Sequence, residues 1–144
     1  MNKGEELVSV IMSCYNEKIE WIRKSIDSIL NQSYKNIEFV IVNDNPEYEE
    51  LKEVLHEYEK KDSRVKLYFN KQNKGLIYSL NKALEISNGN YVARMDADDI
   101  SYLYRLNDEV EVLKNDNVDF VMSNADIIDE YENRINNFNN FKLT

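Results

Sequence analysis

Short apolar runs and longer amphipathic patterns alternate along most of this chain, and the alternation limits the folds that it can adopt. Five runs rich in β-branched and aromatic residues occur at residues 8–13, 37–42, 65–69, 91–95 and 118–123. The segments between them place apolar side chains at helical spacing, as Ile22, Ile26 and Ile29 do within residues 20–32. Strands that alternate with helices form a mainly parallel sheet through right-handed crossovers. We therefore predict an α/β fold in which helices flank a mainly parallel sheet.

Turn-forming residues mark the ends of several elements. Asn45 and Pro46 have the chemistry of an N-cap and a first-turn proline for the second helix. Gly89 is expected to end the third helix as a left-handed cap. After Asp129 the periodicity gives way to polar, Asn-rich sequence. We therefore divide the chain into an α/β domain at residues 1–129 and a loosely ordered polar tail at residues 130–144.

The composition excludes several classes of function. A formal net charge of -9 and a pI near 4.7 argue against nucleic acid as a partner. One Cys and one His leave no internal disulfide, no Cys-based zinc site and no multi-His metal site. No apolar run approaches the roughly 18 residues of a membrane span, and the N-terminus lacks the apolar region of a signal peptide. The expected location is the cytoplasm.

Polar clusters follow four of the predicted strands, at residues 13–17, 43–45, 70–75 and 96–99. Open parallel sheets bind ligands at the carboxyl ends of their strands, so these clusters form one candidate site. The chain has neither a Gly-rich dinucleotide fingerprint nor a P-loop, and those two binding modes are not supported.

Three carboxylates, those of Asp96, Asp98 and Asp99, follow directly on the apolar run at residues 91–95. Carboxylates this close repel one another unless a cation lies among them. Oxygen ligands of this kind suit Mg²⁺ or Mn²⁺, which usually also contact substrate phosphates. The alternative is a plain turn or helix cap, because Asp is common in both.

Four motifs, in order and at matching spacing, resemble those of the family 2 glycosyltransferases. They read VSVIMSCYNE from Val8, IVND from Ile41, NKG from Asn73 and ARMDADDI from Ala93. The resemblance runs to about Asp129. It implies the GT-A fold, whose nucleotide-binding half is a Rossmann-like sheet.

The resemblance also implies residue roles. The nucleotide- and donor-binding positions would be Ser13, Tyr15, Asn16, Asp44, Asn73, Lys74, Asp96 and Ala97. Asp96 and Asp98 match the D-x-D motif and would hold Mn²⁺ or Mg²⁺. The family's counterpart of Asp44 reads the uracil imide, which makes a UDP-sugar the expected donor. The alternative is that Asp44 merely caps or shapes the turn before Pro46.

The implied reaction is inverting transfer of a sugar to a glycan or lipid-linked acceptor. Asn43 and Leu103 depart from the Asp and Pro that the family often has there. The family's general base lies beyond the matched segment, so we assign no catalytic residue and expect a donor-binding part of a longer enzyme. The alternatives are a nucleotidyltransferase and a non-catalytic nucleotide-binding or assembly module. A homodimer and a peripheral position at the inner face of the membrane are further expectations.

Overall fold

A four-stranded parallel sheet forms the centre of the computed structural model, which describes residues 4–137. Its strands are β1 (Val8–Cys14), β2 (Ile37–Asn43), β3 (Val65–Phe69) and β4 (Tyr91–Arg94). The helices are α1 (Ile19–Leu30), α2 (Glu49–Lys61), α3 (Leu76–Ile86) and α4 (Arg105–Asn115). The strand order is β3-β2-β1-β4, and every neighbouring pair is parallel. The predicted α/β fold is confirmed.

Helices cover both faces of the two central strands. Ala83 of α3 packs against Ile11, Val40 and Val42 on one face. On the other face, Ser25 of α1 donates a hydrogen bond to the sulfur of Met12, 3.5 Å away. Because successive strand residues point to opposite faces, β1 and β2 are buried along their whole lengths. Within residues 4–137, no helix combines the length and the apolar character needed to cross a membrane.

The described residues form two compact units that divide between Asn107 and Asp108. The second unit contains an antiparallel hairpin of β5 (Asp126–Ile128) and β6 (Arg134–Asn137). Asp129 shapes its turn by accepting the backbone N–H groups of Tyr131 and Asn133. β6 falls within the predicted polar tail, and residues 138–144 of that tail lie outside the described residues. The division at residue 129 stays a prediction.

The fifth strand predicted at residues 118–123 is wrong. This segment has no regular secondary structure, and Phe120 and Met122 expose 77% and 65% of their surfaces. Its run of apolar and β-branched residues is typical of a strand. A strand, however, also needs a neighbour that satisfies its backbone N–H and C=O groups, and an apolar pattern does not specify that neighbour.

The N-cap role predicted for Asn45 is also wrong, because a turn separates it from the helix. The backbone N–H of Tyr48 donates to the carbonyl of Asn45 at 3.4 Å, with Pro46 inside the turn. α2 begins only at Glu49. Pro46 therefore shapes the turn before the helix and is not part of its first turn.

Gly89 is not a left-handed cap. α3 ends at Ile86, Ser87 is extended, and Gly75 is the glycine with positive φ in the described part of the chain. Gly89 instead lies against β1, where an added Cβ would be 2.6 Å from both the backbone nitrogen and the Oγ of Ser9. Glycine is needed there for close approach of the two backbones, not for its conformational freedom.

Candidate functional site

Four loops lie side by side at the carboxyl ends of the parallel strands. They follow β3, β2, β1 and β4 in that spatial order and contain residues 70–75, 44–48, 15–18 and 95–99. We call this edge of the sheet the rim. The topology brings all the sequence-predicted site residues to the rim or to the strand ends beneath it: Ser13, Tyr15, Asn16, Asp44, Asn73, Lys74, Asp96, Ala97 and Asp98.

Asp44 is the buried centre of the rim, with only 2% of its surface exposed. Its Oδ1 accepts hydrogen bonds from Nδ2 of Asn70 and from the backbone N–H of Lys74, both at 2.7 Å. Its Oδ2 accepts the backbone N–H of Gly75 at 2.8 Å. The carboxylate thereby caps the N-terminus of α3, a role that differs from shaping the turn before Pro46. Its interaction with a base stays a prediction.

Asn45 connects the loop after β2 to the loop after β1. Its side-chain amide donates to Oδ1 of Asn16 at 2.7 Å and to the carbonyl of Tyr15 at 3.2 Å. The Glu17 carboxylate accepts the backbone N–H of Tyr15 at 2.7 Å. Tyr15 keeps its side chain exposed, whereas Ser13 beneath it is buried. Asn45 and Glu17, which belong to the predicted polar clusters but had no binding role assigned to them, therefore hold the predicted nucleoside loop.

Asn43 occupies a buried position directly below this connection. Its Oδ1 accepts the backbone N–H of Asn45 at 2.8 Å. Its Nδ2 has no hydrogen-bond partner among residues 4–137. A buried donor without a hydrogen-bond partner lowers stability.

A cavity of about 530 Å³ opens beside the loop after β3. Its lining comprises Tyr68, Phe69, Asn70, Lys71, Gln72, Lys74 and Tyr78. The ammonium group of Lys74 lies 5.7 Å from the centre of the Tyr78 ring. With two lysines, three aromatic rings and no carboxylate in the lining, the cavity suits a flat or anionic group.

The carboxylates after β4 have different surroundings. Asp96 forms an ion pair with Arg94, whose Nε lies 3.0 Å from Oδ1, and its backbone carbonyl accepts the Ser25 hydroxyl at 3.0 Å. Ala97 is buried. Asp98 is exposed and makes no hydrogen bond or ion pair within residues 4–137. Of the two D-x-D carboxylates, Asp98 is thus the one available to an external cation.

Burial and neighbouring charges both act on the carboxyl group of Asp99. Partial burial, followed by the negative charges of Asp98 and Asp96, raises the pKa of its carboxyl group. Arg94 and Arg105 act in the opposite direction on the same group. Repulsion of this kind is what a divalent cation would relieve.

The carboxylates of Asp96 and Asp98 suit a Mn²⁺ or Mg²⁺ ion that also binds a substrate. Within residues 4–137, no three His, Cys, Asp or Glu side chains converge to form a complete metal site. Mg²⁺ sites that also hold substrate phosphates commonly use only one or two carboxylates, with phosphate oxygens and water as the other ligands. Asp98, with Asp96 beside it, meets that requirement.

Gln32 holds the segment that follows these carboxylates, and sequence analysis assigned it only to the end of α1. Its Nε2 donates to the carbonyl of Tyr102 at 2.6 Å, and its Oε1 accepts the backbone N–H of Leu106 at 3.1 Å. Ser28 Oγ accepts the backbone N–H of Ser101 at 2.9 Å. These pairs are about 70 residues apart in sequence, so no local pattern reveals them.

Comparison with known proteins identifies the family of this chain. The family model described as glycosyl transferase family 2 matches residues 9–142. The chain belongs to glycosyl transferase family 2. The resemblance seen in the four motifs is thereby confirmed.

Two curated relatives show how much of a longer glycosyltransferase this chain covers. An uncharacterised glycosyltransferase of Methanocaldococcus jannaschii is 40% identical over 133 residues, which is 92% of this chain and 46% of the relative. The UDP-Glc:alpha-D-GlcNAc-diphosphoundecaprenol beta-1,3-glucosyltransferase of Escherichia coli is 35% identical over 122 residues, 85% of this chain and 47% of the relative. The chain spans about half the length of these relatives.

The fold agrees with that of solved glycosyltransferases. The mannosyltransferase of Pyrobaculum calidifontis, solved in complex with GDP-Man and Mn²⁺, gives a TM-score of 0.68 at 25% identity. The match covers 75% of this chain and 32% of that one. The predicted GT-A fold is therefore confirmed.

Proposed function

We propose that the chain binds a nucleotide-sugar donor at the rim and is the donor-binding part of an inverting glycosyltransferase. The observation that carries this proposal is the placement of Asp44 and of Asp98 on loops of one rim, to either side of the loop after β1. A nucleoside diphosphate laid along the rim would direct its base toward Asp44 and its phosphates toward Asp98. Membership of glycosyl transferase family 2 supports the same activity.

The hydrogen bonds of Asp44 support a base with a ring N–H. An ionised carboxylate offers about four acceptor positions, and Asn70, Lys74 and Gly75 use three of them. One position remains for the imide N–H of uracil, which cytosine lacks at that ring nitrogen. Tyr15, Asn16 and Ser13 would line the nucleoside, and Asn73 and Lys74 would approach it from the loop after β3. We favour a UDP-sugar, the donor class for which the E. coli relative is named.

We place Mn²⁺ or Mg²⁺ between Asp98 and the donor phosphates, with Asp96 and Ala97 at the same edge. When bound, the ion supplies positive charge that stabilises the leaving diphosphate. This chain's own contribution is to hold the Asp98 carboxylate exposed while Arg94 neutralises Asp96. The solved mannosyltransferase complex contains Mn²⁺, which agrees with this choice of metal.

We assign no catalytic base among residues 4–137. Asp44 is enclosed by the start of α3, Asp96 pairs with Arg94, and a metal-bound Asp98 would be a weak base. This commitment of the carboxylates leaves a non-catalytic nucleotide-binding module as the second candidate. Family membership counts against a nucleotidyltransferase.

We propose a glycan or a lipid-linked sugar as the acceptor. The E. coli relative is named for an undecaprenol-linked GlcNAc acceptor, and an acceptor of that kind would bring the protein to the inner face of the membrane from the cytoplasm. A second copy of the chain is a further proposed partner. It would cover the exposed apolar side chains of α3, among them Leu76, Ile77 and Leu84.

Titration calorimetry with UDP, in Mn²⁺ or in EDTA, tests the donor proposal. We expect Mn²⁺ to strengthen UDP binding and Asp98→Asn to remove that gain, by roughly tenfold or more, because contacts to charged groups contribute about 1.5–3 kcal/mol. Asp119→Asn is the matched control, an exposed carboxylate in the other unit. UDP affinity that is the same in EDTA and in Asp98→Asn would refute the metal assignment, and no UDP binding at all would refute the proposed function.

A further inference from the structure

We infer that Arg94 competes with the divalent cation for Asp96, so that Asp96 becomes a metal ligand only when the donor diphosphate binds as well. Arg94 is the last residue of β4 and lies two positions before Asp96. The inference rests on the proposed function, because it concerns the metal assigned there. It adds a residue of this chain that makes the binding of metal and donor depend on each other.

The ion pair between Arg94 and Asp96 occupies both oxygens of the carboxylate. Nε of Arg94 lies 3.0 Å from Oδ1 of Asp96, and Nη2 of Arg94 lies 3.4 Å from Oδ2. A cation that is to bind Asp96 therefore has to displace a guanidinium group that contacts the carboxylate through two nitrogen atoms. The two side chains are 56% and 44% exposed, so the exchange costs far less than it would in a buried pair.

The backbone beneath this ion pair is held at both residues. The Ser25 hydroxyl donates to the carbonyl of Asp96 at 3.0 Å. Nη2 of Arg105 donates to the carbonyl of Arg94 at 2.9 Å. Because these bonds hold the main chain in place, a rotation of the Arg94 side chain is sufficient to release the Asp96 carboxylate.

Without the donor, the site should bind a free cation weakly. Of the D-x-D pair, Asp98 makes no hydrogen bond or ion pair within residues 4–137, and in the same part of the chain no three His, Cys, Asp or Glu side chains converge. A single exposed carboxylate competes poorly with the water that surrounds Mg²⁺ or Mn²⁺. The positive charge of Arg94 further opposes the approach of a dication.

The donor diphosphate changes both sides of this competition. Its oxygens provide the additional ligands that Mg²⁺ or Mn²⁺ needs. They also offer Arg94 a second anionic partner, since a guanidinium group binds phosphate and carboxylate oxygens in the same paired geometry. Arg94 then turns from Asp96 to the diphosphate, which leaves Asp96 available to the cation. Metal and donor should each strengthen the binding of the other by the same factor.

Electron paramagnetic resonance of Mn²⁺ tests the inference, because the signal of the free aqueous ion weakens as the full chain binds it. Titrations with Mn²⁺ up to millimolar concentration are made with and without UDP. Arg94→Gln should bind Mn²⁺ alone about three- to tenfold more tightly than the parent chain, since the competing ion pair is gone. The factor by which UDP strengthens Mn²⁺ binding should fall by a similar amount.

Further variants separate competition for Asp96 from other effects of Arg94. Arg94→Lys keeps a charged donor and should stay closer to the parent chain than Arg94→Gln does. In an Asp96→Asn background, Arg94→Gln should no longer raise the affinity for Mn²⁺, because no carboxylate is released. Arg134→Gln is the matched control, since Arg134 is 57% exposed and pairs with Asp126 in the other unit. It should bind Mn²⁺ as the parent chain does.

The outcomes for the inference and for the proposed function are distinct. If Mn²⁺ strengthens UDP binding in the parent chain but Arg94→Gln binds Mn²⁺ no more tightly than the parent, the inference is overturned while the proposed function stands. A gain that persists in full with Asp96→Asn would overturn it in favour of general charge repulsion. UDP binding that is indifferent to Mn²⁺ in the parent chain would refute the metal assignment, and the inference with it.

Discussion

The buried carboxylate of Asp44, at the end of β2, accepts the backbone N–H of Gly75 at 2.8 Å and so caps α3, the helix that follows β3 in the chain. One side chain therefore has two requirements placed on it, support of α3 and, in the proposed function, recognition of the base. The backbone N–H of Lys74 depends on the same group. Substitutions at Asp44 have to be judged for stability and for binding separately.

Asp44→Ala should lower the free energy of unfolding by about 2 kcal/mol, because a helix cap is lost and buried donors are left unsatisfied. Urea denaturation measures this change. Asp44→Asn, which keeps the shape, should reduce the preference for UDP over CDP by roughly tenfold or more, since a charge-assisted bond is lost. Asp119→Asn should change neither quantity. An unaltered UDP/CDP ratio in Asp44→Asn would show that Asp44 supports the helix alone.

Glu38 should make stability depend on acidity. Burial raises its pKa, but hydrogen bonds from the Asn88 backbone, Lys66 and Ser9 outweigh this and lower the pKa to about 2 from a usual value of 4.5. Since the folded pKa is the lower one, the stabilisation is complete above pH 4.5 and is lost as the pH falls toward 2. It amounts to about 3 kcal/mol.

Glu38→Gln should therefore be less stable than the parent chain at pH 7, and the difference should shrink as the pH falls below 4.5. Denaturant titrations across this range measure the difference. Glu47→Gln, at an exposed position, should follow the parent chain throughout. A Glu38→Gln difference that stays constant with pH would contradict the assignment.

Gly89→Ala should destabilise the fold by about 1–3 kcal/mol, as expected when a methyl group is forced into a filled space. The new Cβ would lie 2.6 Å from the backbone nitrogen of Ser9, which cannot move aside without disturbing β1. Gly4→Ala is the control, because nothing lies within 4 Å of its Cβ position. Thermal unfolding compares the two. Equal melting temperatures for both variants would mean that the close approach is not required.

Self-association should depend on the apolar surface of α3. Ile77 is 79% exposed there, and in a two-fold symmetric pair it would be buried twice. Ile77→Lys should therefore raise the dimer dissociation constant by about a hundredfold or more. Size-exclusion chromatography with light scattering gives the mass. Phe120→Lys, in the other unit, should have no effect; a parent chain that is monomeric at high concentration would refute the dimer.

Residues 1–144 should bind the donor without transferring sugar to an acceptor. The carboxylates of Asp44, Asp96 and Asp98 are committed to the α3 cap, to Arg94 and to the proposed metal, so none of these three is left to take the proton of an acceptor hydroxyl. A radiolabelled UDP-sugar incubated with a saccharide acceptor measures transfer. Acceptor-dependent product at ordinary enzymatic rates would show that a base is present after all.

The sequence predicted the central sheet well, because β1 and β2 are continuous apolar runs buried on both faces. The same reasoning failed at residues 118–123, where an apolar run lacks the neighbouring strand that would make it part of a sheet. It also failed at Gly89, since a glycine in a sequence does not reveal whether it serves a turn or a close approach.

Within the candidate site, the motifs identified the side chains that could face a ligand but not those that hold them. Asp44 reaches Gly75 across 31 positions, and Gln32 reaches Tyr102 across 70. Such pairs follow from the strand order, which periodicity does not specify. The ion pair of Asp96 with Arg94 is local, yet the apolar run assigned Arg94 only to a strand.

The connections of the loop after β2 bear on how donor preference in this chain could be redesigned. Asn45 holds Asn16 of one neighbouring loop, and Asp44 holds Lys74 and Gly75 of the other. A single loop transplanted from a relative would arrive without the matching donors and acceptors on either side. The loops after β1, β2 and β3 therefore have to be exchanged together. Chimaeras that accept a different donor should be built by grafting all three.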